Sequence, residues 1–309
     1  MADLTPYTPS SALTSPETDL LALYLMRFDR AHTCRSYRAD LEHFFGKALV
    51  SLADARPVDF IRVNAYLAEL EVQGYAASTM KRRLACIRGF FQWLVALGLI
   101  SQNPADRHVV RRIRSVGTDH AITVLTREDA RRLLESVDPE HEAALRDSAL
   151  LQVLLHCVLR RSEAAAMDVE HVRMVGRYWV IDLPHTKGGA NQYVKIPVHV
   201  VEALDNVRSI YGIVSGPIWL SLSKNSSRGS RLSGDAVYQI VRRAVRRAGL
   251  SDRIGAHTLR HTGCTLAIES GANVVQVQAH ARHKNVQTTM AYIHQSDRLR
   301  DSAADYIKF

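Results

Sequence analysis

Apolar and polar positions in the first hundred residues repeat with the period of a helix. Residues 17–30 are amphipathic, and from Thr33 onward large apolar residues recur every three or four positions, which places them on one helical face. A third helix is predicted over 57–73, with Pro57 near its start and Gly74 at its end.

A fourth helix is predicted to start at Ser78 or Thr79 and to stop at Asn103-Pro104, because the residue before a proline avoids the helical region. Its apolar stripe consists of Leu84, Ile87, Phe91 and Leu94. Four helices in succession predict an all-helical N-terminal domain.

The second half of the chain mixes helical and strand periods. Residues 143–159 are apolar nearly all round, which indicates a buried helix. Residues 177–183 and 192–198 alternate like two strands of a hairpin. Further helices are predicted near 233–248, 257–270, 273–281 and 286–294. The fold class expected here is mainly α, with a small antiparallel β-sheet in the C-terminal domain.

These patterns divide the chain into four parts. A Ser/Thr/Pro-rich tail over 1–16 is predicted to be mobile, and the helical domain occupies 17–101. A basic stretch with little periodicity, 102–122, is predicted to be a linker. The second domain covers 123–309 and ends in a short amphipathic segment.

Charge adds an argument about partners. The chain has 309 residues and a net charge of +9, and 33 of its 40 basic residues are arginine. Residues 224–261 alone carry nine basic and two acidic groups. Arginine binds phosphate through two parallel hydrogen bonds, so this distribution indicates a polyanionic partner, with an ordinary basic surface as the alternative.

Several classes of protein are excluded by the sequence. No apolar run approaches the roughly 20 residues of a membrane span, and the N-terminus lacks the basic and apolar segments of a signal peptide. The cysteines are widely spaced without a CxxC pair: Cys34, Cys86, Cys157 and Cys264. They predict core residues of a reduced cytoplasmic protein, with neither a disulfide framework nor a zinc site.

The segment His257-Thr-Leu-Arg-His261 places three basic side chains together. Positions i, i+3 and i+4 of a helix share one face, so His257, Arg260 and His261 project in the same direction. Such donors suit an anion, whereas the alternative is a helix surface with chance basic residues. A zinc site is disfavoured because the HExxH form is absent and an arginine adjoins both imidazoles.

Three other residues are candidates for chemistry. Arg160 ends an apolar run, and it is either a ligand-binding guanidinium or half of an ordinary ion pair with Glu163. Lys187 falls at a predicted hairpin tip before two glycines, where a solvated lysine is the alternative. Tyr292 follows His283 by nine residues; a tyrosine among cations ionises more easily, although a packed aromatic is the plainer interpretation.

Taken in chain order, these residues resemble the tyrosine recombinase (phage integrase) family. The motifs are Arg160-x-Ser-Glu163, Lys187 in a β-turn, His257-x-x-Arg260-His261, and His283 nine residues before Tyr292. The resemblance spans about residues 17–309. It implies a two-domain clamp on double-stranded DNA, built from an α-helical core-binding (SAM-like) domain and an α+β catalytic domain.

The resemblance also implies a mechanism. Tyr292 matches the nucleophile that forms a 3′-phosphotyrosyl bond and releases a 5′-hydroxyl. Arg160 and Arg260 match the arginines that bind the non-bridging phosphate oxygens. Lys187 matches the lysine that protonates the leaving 5′-oxygen. Phosphoryl transfer depends mainly on charge stabilisation and alignment, which guanidinium groups supply.

Supporting roles are implied for four further residues. His257 matches the histidine that assists proton transfer at the tyrosine, and His283 matches a phosphate-contacting position. Glu163 and His261 match residues that support the catalytic side chains from the surrounding shell. No nucleotide-binding GxxxxGK[ST] loop or acidic metal cluster accompanies them, so neither a cofactor nor a metal is expected.

Two positions depart from the family pattern. Val158 stands where the family often has glycine, and we interpret this change as one of packing. Arg282 stands where the family commonly has glycine, so Arg282 must adopt a backbone turn that glycine allows at little cost. His280 competes with His283 for the phosphate-contacting role, but its spacing of twelve from Tyr292 fits worse.

The expected function is site-specific DNA strand exchange by a homotetramer on two DNA sites, serving integration, excision or resolution of DNA such as a mobile element. Accessory DNA-binding proteins are compatible with it. The tail over 297–309 is expected to dock on a neighbouring subunit. Alternatives are a type IB topoisomerase-like nicking and resealing enzyme and a non-catalytic DNA-binding protein. Candidate DNA contacts are Lys81, Arg82, Arg83, Arg88, Arg242, Arg243, Arg246 and Arg247.

Overall fold

The computed structural model describes residues 11–114, 123–183, 192–223 and 228–290. The chain divides into two compact units, Met1–Asp119 and His120–Phe309. The division falls within the stretch predicted to be a linker. The unit boundaries therefore separate the helical half of the chain from the mixed half.

Six helices form the described part of the first unit. They are α1 (Ser11–Thr14), α2 (Leu20–Leu25), α3 (Ala31–Phe45), α4 (Leu52–Ala55), α5 (Phe60–Val72) and α6 (Ala77–Ala96). Side-chain caps start two of them: Asp19 accepts a hydrogen bond from the backbone of Leu21, and Asp59 accepts one from that of Arg62. Such caps satisfy backbone donors that a helix leaves unpaired at its N-terminus.

The core of the first unit is built around α6. The predicted stripe is confirmed, because Leu84, Ile87, Phe91 and Leu94 are all buried. Phe44 of α3 and Tyr66 of α5 pack edge-to-face with their ring centroids 5.0 Å apart, a geometry that aromatic quadrupoles favour. Helices α3 and α5 both also contact α6.

The bounds of α6 differ from the prediction. Its N-cap is Ala76, without a side-chain cap, so neither Ser78 nor Thr79 starts the helix. The helix ends at Ala96, and Gly98 follows with φ +66. A left-handed glycine is a common helix terminator, and here it acts before the Asn103-Pro104 pair.

Part of the predicted linker belongs to the first unit. Ala105 and Val110 are buried in its core, and Nε of Arg88 donates to the carbonyl of Ala105 at 2.8 Å. In the predicted tail, Leu13 also packs against this core. Segments without a regular period carry no sequence signal for burial, which explains why both were assigned as unstructured.

The second unit holds eight helices and three strands in its described residues. They are α7 (Arg127–Glu135), α8 (Ala144–His156), α9 (Arg161–Ala165), β1 (Val172–Val175), β2 (Tyr178–Leu183), β3 (Gln192–Lys195), α10 (Val198–Ile210), α11 (Gly234–Arg247), α12 (Ala256–Glu269), α13 (Val274–Ala281) and α14 (Val286–Met290). A 3₁₀ turn, Val169–His171, precedes β1.

Helix α8 lies at the centre of the second core. It packs against both α10 and α12, and Leu150, Leu151 and Leu154 are fully buried. The contact with α12 is close because a Cβ on Gly263 would lie 2.2 Å from the carbonyl oxygen of Leu155. Glycine at this position lets the middle of α12 approach the end of α8.

The sheet is small and antiparallel, in the order β1-β2-β3. Ile181 is paired with Val172 on one side and with Val194 on the other, and Ile181 and Val194 are buried. A mainly helical chain with one small antiparallel sheet in its second half confirms the predicted fold class.

The sequence analysis missed β1, α9 and α10. Strand β3 ends at Lys195, and Pro197 caps α10 where the prediction extended the strand to Val198. Proline cannot donate to a ladder, so it ends the strand. The apolar positions Val200, Leu204 and Val207 then follow at helical spacing and are buried, a signal that the valine-rich start of the segment obscured.

Candidate active site

Helix α12 brings three of the predicted site residues together at its N-terminal end. The rings of His257 and His261 lie 4.1 Å apart between centroids in an edge-to-face arrangement. The side chain of Arg260 is only 2% exposed. Its Nη1 donates to the carbonyl of Val158 at 2.5 Å, and its Nη2 donates to the carbonyl of Ala281. A buried guanidinium thus joins three segments of the chain.

Arg160 stands at the N-cap of α9, and Glu163 in the first turn holds it twice. One carboxylate oxygen of Glu163 accepts the backbone N–H of Arg160 at 2.8 Å, and the other accepts its Nη1 at 2.6 Å. The Arg160 side chain is half exposed, whereas that of Glu163 is 13% exposed. The ion pair that the sequence offered as the alternative is present, and it leaves the guanidinium open on its outer side.

Val158, two residues before Arg160, has φ +44. A β-branched residue in this region is strained because its side chain crowds the backbone. The carbonyl of Val158 accepts from Arg260, so the unusual turn aims an acceptor at the site. The interpretation of Val158 as a packing difference was incomplete, since the position also needs the backbone freedom of glycine.

His283 lies in the turn between α13 and α14. Its Nδ1 is hydrogen-bonded to the hydroxyl of Thr289 at 2.9 Å, and Thr289 is fully buried. The competitor His280 instead donates from Nε2 to the carbonyl of His156 at 2.8 Å. This contact directs His280 to the end of α8 and favours His283 for the site.

Burial and neighbouring arginines keep the site histidines neutral at neutral pH. Desolvation, reinforced by adjacent cationic groups, lowers the pKa of His261 and that of His283 to about 4. The pKa of His257 is also lowered, by desolvation and then by Arg260 and Arg160. A neutral imidazole has one ring nitrogen free to accept a proton, which a charged one lacks.

The same environment disfavours charge on Arg260. Burial, followed by repulsion from Arg160 and Arg282, lowers its pKa to about 10. For Glu163, burial raises the pKa, but Arg282 and Arg160 outweigh it and hold the pKa below its ordinary value. Three guanidinium groups therefore surround a single carboxylate, and an added anion would balance them.

Two predicted residues lie outside the described part of the chain. Lys187 falls in the connection between β2 and β3, and Tyr292 falls two residues after the end of α14. In the sequence, both lie close to described elements of the second unit. Their roles stay predictions.

The predicted DNA contacts on α6 differ in their surroundings. Lys81 and Arg82 are exposed, although Arg82 also pairs with the buried carboxylate of Asp40. Arg83 is mostly buried, lies over the ring of Tyr75 at 4.4 Å and donates to the hydroxyl of Tyr66. Arg88 is committed to the carbonyl of Ala105. The solvent-facing basic groups of this set are thus at the start of the helix.

The four arginines of α11 are each paired with an acidic residue. Arg242 is 10% exposed and binds the carboxylate and carbonyl of Asp252, and Arg246 lies 3.8 Å from the same carboxylate. Arg243 pairs with Asp147, and Arg247 pairs with Asp138. Arg242 holds the chain after α11, so we do not include it among the DNA contacts proposed below.

The described residues contain no group of three His, Cys, Asp or Glu side chains placed to hold a metal ion. The cysteines in this part of the chain are unpaired, and Cys86, Cys157 and Cys264 are buried while Cys34 is partly so. Among the described helices, none is long and apolar enough to cross a membrane.

Comparison with known proteins follows the order of the two units. Residues 123–298 match the profile of the phage integrase family, and residues 20–98 match that of the phage integrase N-terminal SAM-like domain. The chain belongs to the phage integrase family of tyrosine recombinases. It is a site-specific recombinase enzyme, with a core-binding domain before the catalytic domain.

Individual relatives cover most of the chain. It is 30% identical over 275 residues to tyrosine recombinase XerC of Thermodesulfovibrio yellowstonii, covering 87% of this chain and 88% of the relative. It is 31% identical over 291 residues to tyrosine recombinase XerD of Mycobacterium leprae, covering 87% and 89%.

A solved structure supports the fold. The XerH site-specific recombinase, bound to palindromic difH substrate in a post-cleavage complex, matches with a TM-score of 0.68 and 21% identity over 89% of this chain and 80% of that one. At this identity the likeness concerns the architecture alone. It agrees with a two-domain recombinase fold.

Arg282 is the residue whose part in the site the sequence analysis did not foresee. Its φ of +57 confirms the predicted left-handed turn. Its guanidinium, however, reaches the Glu163 carboxylate from 119 positions away. The sequence signal for this role was an arginine at a position where the family commonly has glycine, since a left-handed turn is unfavourable for arginine.

Proposed function

We propose that this recombinase cuts and rejoins DNA through a 3′-phosphotyrosyl intermediate on Tyr292. The observation that carries the proposal is the convergence of Arg160 and Arg260 on one carboxylate. Glu163 lies 2.6 Å from Nη1 of Arg160 and 4.0 Å from Nη1 of Arg260. Two guanidinium groups held this close favour a tetrahedral anion with several acceptor oxygens.

The cleavage step exchanges one ester for another. The Tyr292 hydroxyl oxygen attacks the scissile phosphorus, the bond from phosphorus to the 5′-oxygen breaks, and a phosphotyrosyl bond forms. Neutral His257 accepts the tyrosine proton, and Lys187 gives a proton to the leaving 5′-oxygen. Attack by a 5′-hydroxyl on the phosphotyrosine reverses these transfers and joins the strands. The number of phosphodiester-type bonds is conserved, so no nucleotide is consumed.

Double-stranded DNA is the proposed partner, held by both units. Exposed basic residues at the start of α6, Lys81 and Arg82, and the outer arginines of α11 are the proposed backbone contacts. Phosphate contacts of this kind position a protein without reading sequence. Recognition of the base sequence therefore requires other contacts. The target site has to be determined by experiment.

We further propose that a homotetramer on two DNA sites performs strand exchange and that residues 297–309 dock on a neighbouring subunit. A cavity of about 440 Å³ between α7, α8, α12 and α13 offers an acceptor. Its lining includes Leu134, Leu155 and Leu266 together with Arg127 and Arg131. In the tail, Leu299, Ala303 and Ile307 recur every four residues, so on a helix they would form an apolar face suited to such a cavity.

Deletion of 297–309 tests this docking. We expect assembly of two-site complexes to weaken while binding to a single site persists, as measured by gel shift. Leu134→Asp places a charge in the cavity and should have the same effect. Unchanged assembly of both variants would contradict docking in this cavity.

Covalent trapping tests the main proposal. The protein is incubated with a nicked suicide duplex, starting with DNA that flanks its own gene, and the products are separated on a denaturing gel. We expect a protein–DNA band that Tyr292→Phe abolishes and that Tyr238→Phe, an exposed tyrosine of α11, retains. Absence of the band on a duplex that the protein demonstrably binds would overturn the proposal and favour a non-catalytic DNA-binding protein.

Plasmid relaxation separates recombination from simple nicking and resealing. A site-specific recombinase should exchange strands only between two copies of its site. A monomer that relaxes plasmids without any special site would instead indicate a type IB topoisomerase-like activity. The same catalytic residues serve both, so the DNA requirement decides.

A further inference from the structure

Arg282 brings a third guanidinium into the catalytic unit. It follows the last residue of α13 with φ +57 and ψ +43, and its side chain is 3% exposed. Nη2 donates to Oε2 of Glu163 at 2.8 Å, and Nη1 donates to the carbonyl of His280 at 2.9 Å. The residue thus ties the turn before His283 to the carboxylate that holds Arg160.

Arginine is a costly choice at this position. A non-glycine residue in the left-handed region is unfavourable, and a buried guanidinium loses its hydration. Its Nε is also buried without a hydrogen-bond partner among the described residues. Costs of this kind persist where the surrounding structure over-determines them, and such residues cluster at functional sites.

The strain is concentrated around the site. Val158 and Arg282 are the two non-glycine residues with positive φ in the described chain. The carbonyl of Val158 accepts from Arg260, while the side chain of Arg282 binds Glu163. Both unusual turns therefore orient a partner of a catalytic arginine.

The two oxygens of Glu163 are used differently. Oε2 accepts from the backbone N–H of Arg160 and from Nη2 of Arg282, and Oε1 accepts from Nη1 of Arg160. Contacts on both sides of Oε2 fix the plane of the carboxylate. Oε1 then binds one nitrogen of the Arg160 guanidinium, and the side chain of Arg160 is half exposed.

We propose that Arg282 is a positioning residue for strand cleavage, acting through Glu163. By fixing the carboxylate, it holds one edge of the Arg160 guanidinium and leaves the other edge directed at the scissile phosphate. This inference rests on the proposed function, since it assumes that Arg160 binds that phosphate. Without Arg282, the carboxylate can rotate and compete with the phosphate for the open edge of Arg160.

The turn that carries Arg282 also orders the other half of the site. The carbonyl of the preceding Ala281 accepts from Nη2 of Arg260, and the following His283 is hydrogen-bonded to Thr289. Three consecutive residues therefore touch Arg260, Glu163 and the α14 helix. The ion pair between Arg282 and Glu163 therefore fixes the positions of Arg160 and Arg260 relative to His283.

A double-mutant cycle on covalent cleavage tests the inference. Arg282→Gly is a suitable deletion because glycine adopts φ +57 without strain, so the variant removes the side chain and spares the turn. Arg282→Lys keeps the charge but loses the two-pronged geometry. Each is made alone and with Glu163→Gln, and Lys284→Gly in the same turn is the control for lost charge.

The rate of covalent trapping is measured at saturating protein on the suicide duplex, with DNA affinity and thermal midpoint measured separately. We expect Arg282→Gly to slow trapping about 10- to 100-fold. Mutating the residues that orient metal ligands has an effect of this order in metalloenzymes, and here Arg160 takes the place of the oriented ligand. Arg282→Lys should fall between this variant and the unmodified protein. DNA affinity should change less than the rate, and Lys284→Gly should trap at the unmodified rate.

The combined variant carries the decisive comparison. If Arg282 acts through Glu163, its substitution should have little further effect in the Glu163→Gln background. Additive losses would overturn the inference, and so would a folded Arg282→Gly or Arg282→Lys that traps at the unmodified rate. Failure of the unmodified protein to trap is a different result, because it removes the proposed function itself.

Discussion

Two arginine-rich parts of the catalytic unit differ in how far their charged groups are exposed to solvent. On α11, four arginines lie within salt-bridge distance of three aspartates: Asp252, Asp147 and Asp138. At the junction of α9, α12 and α13, three arginines share Glu163 as their one acidic partner among the described residues. Asp147 also pairs with Arg146, so arginines outnumber carboxylates in both parts. The difference lies in burial: the side chains of Arg243, Arg246 and Arg247 are about half exposed or more, whereas those of Arg260 and Arg282 are 2–3% exposed.

The difference shows that a count of basic residues is a poor guide to an anion site. Four of the nine basic residues in the 224–261 stretch lie on α11, yet each of the four has an acidic partner. The site arginines are scattered along the chain at 160, 260 and 282, and burial makes their excess charge effective. A local excess of charge in a poorly solvated place is what attracts a phosphate.

Removal of an arginine from the site should have the largest effect on cleavage. We expect Arg260→Ala to lower the rate of covalent cleavage about 10²–10³-fold, because it removes charge stabilisation of the pentacoordinate phosphate. Arg260→Lys tests the same step in a variant that keeps the buried charge. Arg132→Ala on α7 is the matched control. A folded Arg260 variant with the unmodified rate on the suicide duplex would contradict the assignment.

Within α11, burial should decide the effect on stability. Arg242→Ala should lower the free energy of unfolding by about 2–3 kcal/mol, since it leaves carbonyls of the 252–254 segment without a charged donor. Arg246→Ala should cost less than about 1 kcal/mol, because its side chain is 67% exposed. Urea unfolding of both variants measures this. Equal losses would show that the α11 pairs are not ranked by burial.

The histidines of the site should make the stability of the protein depend on pH. His261 and His283, with pKa values of about 4, are neutral in the folded chain at pH 5, where the unfolded chain protonates them. The unfolded state then binds more protons, so stability should fall as the pH drops from 6.5 toward 4. Urea midpoints at pH 7.5 and 5 measure the loss.

Substitution identifies the source of this pH dependence. The double substitution His261→Gln and His283→Gln should reduce the difference between the two midpoints, while His32→Gln at an exposed position of α3 should not. An unchanged difference in the double variant would place the pH dependence elsewhere.

The smallest expected effect concerns the first unit. Lys81 is exposed, so Lys81→Ala should reduce the slope of log affinity against log salt by about 0.9 if it contacts one phosphate. Arg83→Ala should leave the slope unchanged, since Tyr66 and Tyr75 occupy that guanidinium. Fluorescence anisotropy across a salt series measures both. A larger change for Arg83 would reverse the assignment.

Much of the architecture could be predicted from the sequence. Long amphipathic helices such as α3, α6 and α11 follow from their apolar period, which local residues determine. The same reasoning missed β1 and α10, where valine-rich stretches fit both strand and helix. It also treated the segment around Ala105 and Val110 as linker, because irregular chain packed on a core has no period to detect.

The site was predicted in part. The shared face of His257, Arg260 and His261 follows from helix geometry alone. The contacts that join Arg260 to Val158 and Ala281 depend on distant segments, and the sequence does not show which segments meet. For the same reason Arg282 was identified as a backbone departure, while its ion pair with Glu163 required the tertiary structure.

The central claim is that Tyr292 carries the DNA after cleavage. The most direct measurement is to trap the protein on a suicide duplex, digest both components, and find the nucleotide-bearing peptide by mass spectrometry. We predict a single modified peptide with its phosphodiester on Tyr292, and none in Tyr292→Phe. A nucleotide attached to another residue, or a cleaved duplex with no attached protein, would contradict the claim.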